Sequence, residues 1–195
     1  KKKGIGSFDE LQDEYMNNII NILKKSNKLT AAWNEAALPP HNDIGSAGSA
    51  GKIDKSCIIF AWEHPDVGIM SAKKGFKTVL CPGHKTYFDM AHNNSTYERG
   101  ICWAATIEVK QVFDWEPLKD FATKDLDNVL GIQGQLWSET ITDKDYFDKM
   151  INPRLATLAE IAWCSKAKRP WAQFRSSLLH NLDYLSKLGW NFHNF

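Results

Sequence analysis

A parallel α/β architecture is predicted by three features of this sequence: short apolar runs that do not alternate, helical stripes between them, and tryptophans where the runs end. The runs are residues 29–33, 57–62, 77–81 and 130–137. Strands covered on both faces read as continuous apolar stretches, whereas half-exposed antiparallel strands alternate. Four strand–helix units make about half of an eight-unit barrel, which takes roughly 250 residues. A doubly wound open sheet satisfies the same pattern, although no glycine-rich phosphate loop marks a nucleotide site.

The elements follow in order. Ser7 and Glu10 form a capping-box pattern ahead of a helix whose apolar stripe is Phe8, Leu11, Tyr15, Ile19 and Ile22. It fades in the polar run 24–28, and the first strand follows, stopped by Pro39 and Pro40. Residues 45–51 (GSAGSAG) read as a flexible surface loop. The run 57–62 is a buried strand closed by Pro65. A helix over 67–74 ends at Gly75, and the strand 77–81 stops at Pro82-Gly83. Residues 105–113 suit a helix, and 130–137 the fourth strand.

The remainder reads as helical. Thr142 and Asp145 cap one segment, Pro153 interrupts it, and 154–163 is apolar on several faces, the pattern of a buried helix. The last helix begins at Pro170-Trp171 with the stripe Phe174, Leu178, Leu182 and Leu185, and Gly189 is its expected cap. The chain is read as one domain over 1–195: a helix to residue 28, four strand units over 29–139, and closing helices over 140–195.

Bulk composition narrows the function classes. With 24 basic and 23 acidic residues, no large basic field favours nucleic acid or an anionic membrane. No apolar run approaches the roughly 20 residues that span a bilayer, and Lys1, Lys2 and Lys3 do not open a secretion signal. Cys57, Cys81, Cys102 and Cys164 are scattered without metal-ligand spacing. Neither a metal site nor any cofactor is expected, and the thiols read as free and partly buried.

Position gives the eight tryptophans their meaning. Trp33, Trp62 and Trp137 fall at the carboxyl ends of the first, second and fourth strands, the edge where parallel α/β folds bind ligands. Trp163 and Trp171 fall on helices and read as packing residues. An indole face suits the apolar C–H face of a pyranose, and carboxylates at the rim suit its hydroxyls. Asp89 lies two residues after Tyr87, and Glu139 two after Trp137, spacings that share a face in extended backbone.

Those residues lie in motifs with a known likeness. GIQGQLWSE (131–139), followed by NPRLATLAEIAW (152–163), resembles glycoside hydrolase family 20, the β-N-acetylhexosaminidases and chitobiases. TYFDMAH (86–92), AAWNE (31–35), FAWEH (60–64) and GICWAA (100–105) resemble further segments of that family, in the same order. The resemblance implies the C-terminal half of a (β/α)8 barrel, about strands five to eight, with residues 1–28 as the helix after strand four. It also implies a pocket for a non-reducing-end N-acetylhexosamine. Trp33 and Trp62 would flank the acetamido group and Trp137 would lie under the ring. Tyr87 would donate to the acetamide oxygen as the catalytic contribution, Glu139 would bind ring hydroxyls, Asp89 would order the pocket near Tyr87, and Trp103 would face the leaving group.

The implied reaction is substrate-assisted: the substrate's 2-acetamido oxygen attacks the anomeric carbon. It also needs an Asp and a Glu that family members carry as an adjacent pair at the end of strand four. The pairs Asp9-Glu10 and Asp13-Glu14 fall inside the first helix and read as solvated face charges. The chain alone is therefore expected to be inactive. Its expected partners are glycans ending in N-acetylglucosamine or N-acetylgalactosamine, the other half of the barrel, and a second copy of itself covering unpaired strand edges. A stand-alone sugar-binding module, or an α/β scaffold without a ligand, are the competing readings. The family's usual locations are periplasmic, extracellular or lysosomal.

Overall fold

The computed structural model describes residues 4–39, 48–165 and 170–195. Two compact units divide the chain: one runs to Leu80 and includes Asp120–Gly131, and the other comprises Cys81–Lys119 and Ile132–Phe195.

The first unit contains a four-stranded sheet in the order β1 (Ala31–Trp33), β2 (Ile58–Ala61), β3 (Thr78–Leu80) and β4 (Val129–Ile132). The pairings β1–β2 and β2–β3 are parallel, with Trp33 opposite Phe60 and Ala61 opposite Leu80. Helix α1 (Phe8–Lys25) precedes β1, and α2 (Pro65–Lys73) connects β2 to β3. The predicted βαβ pattern is present here. Ile20, Ala37, Ile53, Cys57, Ile59 and Phe76 form one buried cluster; Leu38, Ala61 and Val67 form another.

Several expectations for this unit are corrected. β2 is not buried throughout: Ile59 and Ala61 are buried while Ile58 and Phe60 are half-buried. Ala31 and Trp33 of β1 and Leu130 of β4 are exposed, because these strands end the sheet order and are less covered. β4 stops at Ile132, five residues short of Trp137. The nominated stripe of α1 does not face this core: Phe8, Leu11, Tyr15 and Ile22 are exposed. A second helical stripe, Asp13, Met16 and Ile20, turns inward instead.

Asp13 explains that choice. It is buried, accepts hydrogen bonds from Ser49 Oγ and from the Lys52 backbone N–H (2.9 Å), and so is no solvated face charge. These bonds fix which helix face meets the sheet, since a buried carboxylate must be paired. Ser49 also donates its N–H to the Leu38 carbonyl (2.8 Å). The segment 48–51 is therefore tied down, while residues 45–47 of the expected surface loop lie outside the described residues. Ser7 does cap α1, accepting from Glu10 N (3.2 Å), but Glu10 reaches back to Gly6 N, so the box is shifted by one residue.

The second unit holds the short α3 (Gly83–Thr86), α4 (Val109–Phe113), α5 (Lys144–Ile151), α6 (Arg154–Trp163) and α7 (Trp171–Lys187). Helix α4 is shorter than the 105–113 expected, starting from Glu108 as its cap. The cap of α5 is Asp143, which accepts from Tyr146 N (2.8 Å), rather than Thr142. Pro170 caps α7 instead of opening it, whereas the expected stripe (Leu178 and Leu182 buried) and Gly189, at φ +78, match. Helix α6 is not buried all round: Trp163 is 89% exposed and Leu155 is also exposed, because Arg154, Thr157, Leu158 and Ile161 take its inner face. Trp171 does pack, with Phe113 and Phe174 at 4.9 and 6.1 Å between ring centroids.

None of the four cysteines is disulfide-bonded. Burial pushes the Cys57 and Cys81 thiols up, to about 11 and about 12. Among the described residues no helix is long and apolar enough to cross a membrane.

Candidate functional site

Each unit places its own set of the nominated residues. In the first, Trp33 closes β1 in extended backbone and stands edge-on to Phe60, 5.9 Å between centroids. The chain then turns through a 3-10 helix, Asn34–Ala36, which brings two polar side chains to the strand ends. Asn34 is buried; its Oδ1 accepts from Trp62 N (3.1 Å) and its Nδ2 donates to Glu63 Oε2 (3.0 Å). Glu35 Oε1 accepts from the Trp62 indole N–H (2.9 Å). Backbone and side chain of Trp62 are thus both fixed from the end of the neighbouring strand. Glu35 Oε2 is buried and has no hydrogen-bond partner among the described residues.

In the second unit the centre is Tyr87. Its ring is buried beside two exposed indoles: Trp103 lies edge-on at 6.0 Å and Trp137 is tilted at 6.1 Å. Gly83 permits this approach, for a Cβ there would lie 3.2 Å from Trp103 and 3.6 Å from Tyr87. Single ladder rungs align the segments: Tyr87 pairs with Gln135 and Met90 with Ile101. Phe88 N donates to the Gln135 carbonyl (2.6 Å), and Gln135 N to that of Thr86 (2.9 Å). Trp137 is therefore aligned by the Gln135 pairing beyond β4, not by the strand itself.

Asp89 is 1% exposed, which rules out a solvated loop acid. Its Oδ1 accepts from Trp137 N (3.4 Å), while Oδ2 is buried without a partner among the described residues. Burial pushes its carboxyl up, with Glu139 acting in the same direction. Its own and the Trp137 backbone N–H groups, together with Arg154, oppose the rise. Glu139 is exposed, as is Trp137. Tyr87 and Asp89 are thus buried while Trp137 and Glu139 are exposed. Tyr87 and Asp89 do not share the face of an extended strand as expected, because residues 88 and 89 turn, closed by Met90 N–H to Tyr87 O (3.2 Å).

Sequence reasoning passed over Asn34, Glu35 and Arg154. The polar pair directly after Trp33 was a usable signal, since polar residues at a strand's carboxyl end face the ligand edge. Among the described residues no cluster of three or more His, Cys, Asp or Glu could hold a metal ion.

The profile of the glycosyl hydrolase family 20 catalytic domain matches residues 1–166. The chain belongs to that family. The match takes in every nominated residue from Trp33 to Glu139. A β-N-acetylhexosaminidase of Cellulomonas fimi is 26% identical over 176 residues, covering 89% of this chain and 33% of that protein. A β-hexosaminidase of Vibrio furnissii is 31% identical over 160 residues, covering 81% of this chain and 24% of that protein.

Among solved family 20 structures, an exo-β-N-acetylglucosaminidase of Vibrio harveyi in complex with N-acetylglucosamine superposes with a TM-score of 0.87. It is 29% identical and covers 99% of this chain but 29% of that one. The fold is accordingly that of the family's α/β barrel. The chain spans a third or less of the length of these three relatives.

Proposed function

We propose that this chain is the sugar-holding part of a β-N-acetylhexosaminidase acting on terminal N-acetylhexosamine residues of β-linked glycans, and that it represents about strands five to eight of the barrel. The observation that carries the reading is the buried Tyr87 beside the exposed Trp103 and Trp137, with an Asp89 oxygen two residues along that has no partner among the described residues.

In this reading Trp137 stacks under the pyranose ring, an apolar contact of low entropic cost. The Tyr87 hydroxyl donates to the acetamide oxygen and holds it within attack distance of the anomeric carbon. That oxygen then forms a bond to C1 as the glycosidic bond breaks, giving an oxazolinium ion that water opens. Trp33 and Trp62 flank the acetamido group, the latter fixed by Asn34 and Glu35. Glu139 takes ring hydroxyls, Asp89 accepts at the buried end of the Tyr87 segment, and Trp103 serves the leaving-group side. The protonation of the leaving oxygen falls to none of these. Both Asp-Glu pairs of the sequence lie in α1, where Asp13 is already committed to Ser49 and Lys52.

The test is a titration of tryptophan fluorescence with N-acetylglucosamine and with its thiazoline analogue. A saturable change in the wild type, lost in W137A and weakened about tenfold in Y87F, is expected. No saturable change in the wild type rejects the reading. The same protein should release no 4-nitrophenol from 4-nitrophenyl N-acetyl-β-D-glucosaminide. Rapid release would overturn the division of labour.

A further inference from the structure

Arg154 opens α6 and is 0% exposed. A guanidinium has five N–H bonds, and here all five meet main-chain carbonyls. Nε donates to Met150 O (3.0 Å), and Nη1 to Met90 O (2.8 Å) and Ile107 O (3.2 Å). Nη2 donates to Phe88 O (2.6 Å) and Met150 O (2.6 Å). Among the described residues no carboxylate stands within ion-pair distance of it. Burial pushes the group down to about 9, so it stays cationic at neutral pH.

Buried arginines are rare and ordinarily paired with acids. This one is solvated by backbone instead, and the backbone it selects is informative. Phe88 follows Tyr87, and Phe88 and Met90 bracket Asp89. Residues 88 and 89 form a turn closed by Met90 N–H to Tyr87 O (3.2 Å), and one rigid planar fork holds carbonyls on both sides of Asp89 in it. Other main-chain groups of the segment are held by Phe88 N donating to Gln135 O (2.6 Å) and Ile101 N donating to Asp89 O (3.0 Å). The peptide units carrying Tyr87 and Asp89 are thereby fixed by both sets of bonds, although only single ladder rungs exist here.

We propose that Arg154 is a positioning residue for the sugar site: its guanidinium fork sets the 87–90 backbone so that Tyr87 and Asp89 present to the ligand. The inference rests on the sugar-binding reading above. Its charge adds a second effect. The charged groups acting on Asp89 are Arg154, which favours the ionised carboxylate, and Glu139, which opposes it. Those acting on Arg154 itself are Glu98, Asp89 and Glu108, with Tyr146 beside them.

Two substitutions separate fork from charge. Lysine keeps a cation but offers a point ammonium that cannot span four carbonyls, and glutamine removes the charge. In R154K the Trp137 amide resonance should move and N-acetylglucosamine affinity fall about tenfold, with Asp89 titrating close to its wild-type position by carboxyl 13C NMR. In R154Q Asp89 should also titrate at higher pH than in the wild type. Variants that fold, yet keep the wild-type Trp137 amide, Asp89 titration and affinity, overturn the proposal.

A wild type that ignores the sugar rejects the functional reading, while the Trp137 and Asp89 signals still decide the positioning role. If neither variant folds, the wild-type guanidinium decides. Separate, slowly exchanging Nη–H signals support the clamp. A freely rotating guanidinium beside sharp Tyr87 and Trp137 signals overturns it.

Discussion

The two units hold aromatic residues by different physical means. Around Trp33 and Trp62 the backbone is regular: β1, β2 and β3 share parallel rungs, and aliphatic residues such as Ile59 fill the space beneath. Around Tyr87 and Trp137 the ladder is reduced to single rungs, and a buried cation supplies the missing order. Regular ladders satisfy peptide groups without spending side chains, whereas irregular backbone must be satisfied by side chains or water. The difference teaches where each unit is vulnerable: the first in its apolar packing, the second in its polar saturation.

The largest test removes one support from each. Ile59→Ala should cost about 3 kcal/mol through lost burial and a cavity. Arg154→Met strands the carbonyls of Phe88, Met90, Ile107 and Met150 and should cost about 3–5 kcal/mol, the range for breaking a buried charged network. Amide hydrogen exchange followed residue by residue distinguishes them. Ile59→Ala should lower protection of Ile58 and Ile59, and Arg154→Met that of Ala91 and Ile107. Equal loss in both regions from either variant would break the comparison.

Acid should then act on the second unit first. His92 is buried, stacks on His193 at 3.7 Å, and its Nε2 faces the Lys149 carbonyl at 3.1 Å. Burial, with Arg154 and His193 beside it, pushes it down to about 2. His193 is also lowered, first by burial, with Arg154 and Lys149 acting the same way and Glu98 opposing. At pH 7 His92 is neutral whether folded or unfolded. As pH falls through its unfolded value of about 6.5, the unfolded chain binds a proton that the folded one refuses, so stability falls. Between pH 6.5 and 5 His92 alone should cost about 2 kcal/mol, read as a falling urea midpoint. His92→Gln should flatten that slope; an unchanged slope would discard the assignment.

Glycine contacts sharpen the contrast. A Cβ at Gly100 would lie 2.3 Å from Ala91 N and 2.8 Å from the Met90 carbonyl carbon, both backbone. At Gly68 the nearest atom, 2.5 Å away, is Leu80 Cδ2, the end of a side chain that can turn. Gly100→Ala should therefore cost about 2 kcal/mol and shift the Ala91 and Ile101 amides, whereas Gly68→Ala should cost about 1 kcal/mol or less. Similar costs measured by urea unfolding would show that the clamped segment yields more easily than its hydrogen bonding implies.

Legibility in the sequence followed the same divide. Trp33 and Trp62 could be placed because β1 and β2 are continuous apolar runs whose ends are visible in the residue pattern. The apolar pattern carries the fourth strand to Trp137, whereas it stops at Ile132, because pairing through one residue, Gln135, leaves no periodic trace. Arg154 and Asp13 were invisible for a common reason: charged residues are usually exposed, and only tertiary contacts reveal which are buried. The α1 stripe failed because two stripes fit one helix, and the buried carboxylate of Asp13 chose between them.

The smallest effects come from ion pairs, and they should still differ between the units. Lys24 and Asp54 pair at 2.6 Å with side chains 45% and 40% exposed. The Lys24 bond, aided by Ser56, holds the Asp54 carboxyl well below the usual carboxylate range. Its contribution is present above the ordinary carboxylate pKa and is lost as pH falls below it, and solvent screening keeps it small. Lys24→Met should cost at most about 0.5 kcal/mol and nothing measurable in 1 M NaCl. Lys144 pairs with Asp148 at 2.5 Å, where the Asp148 side chain is 1% exposed and also accepts from Asn191 N (3.0 Å). Removing that cation leaves a desolvated carboxylate with one donor fewer, so Lys144→Met should cost about 1–2 kcal/mol and resist salt. If both lysines proved equally cheap and equally salt-sensitive, polar saturation would not be what distinguishes the second unit.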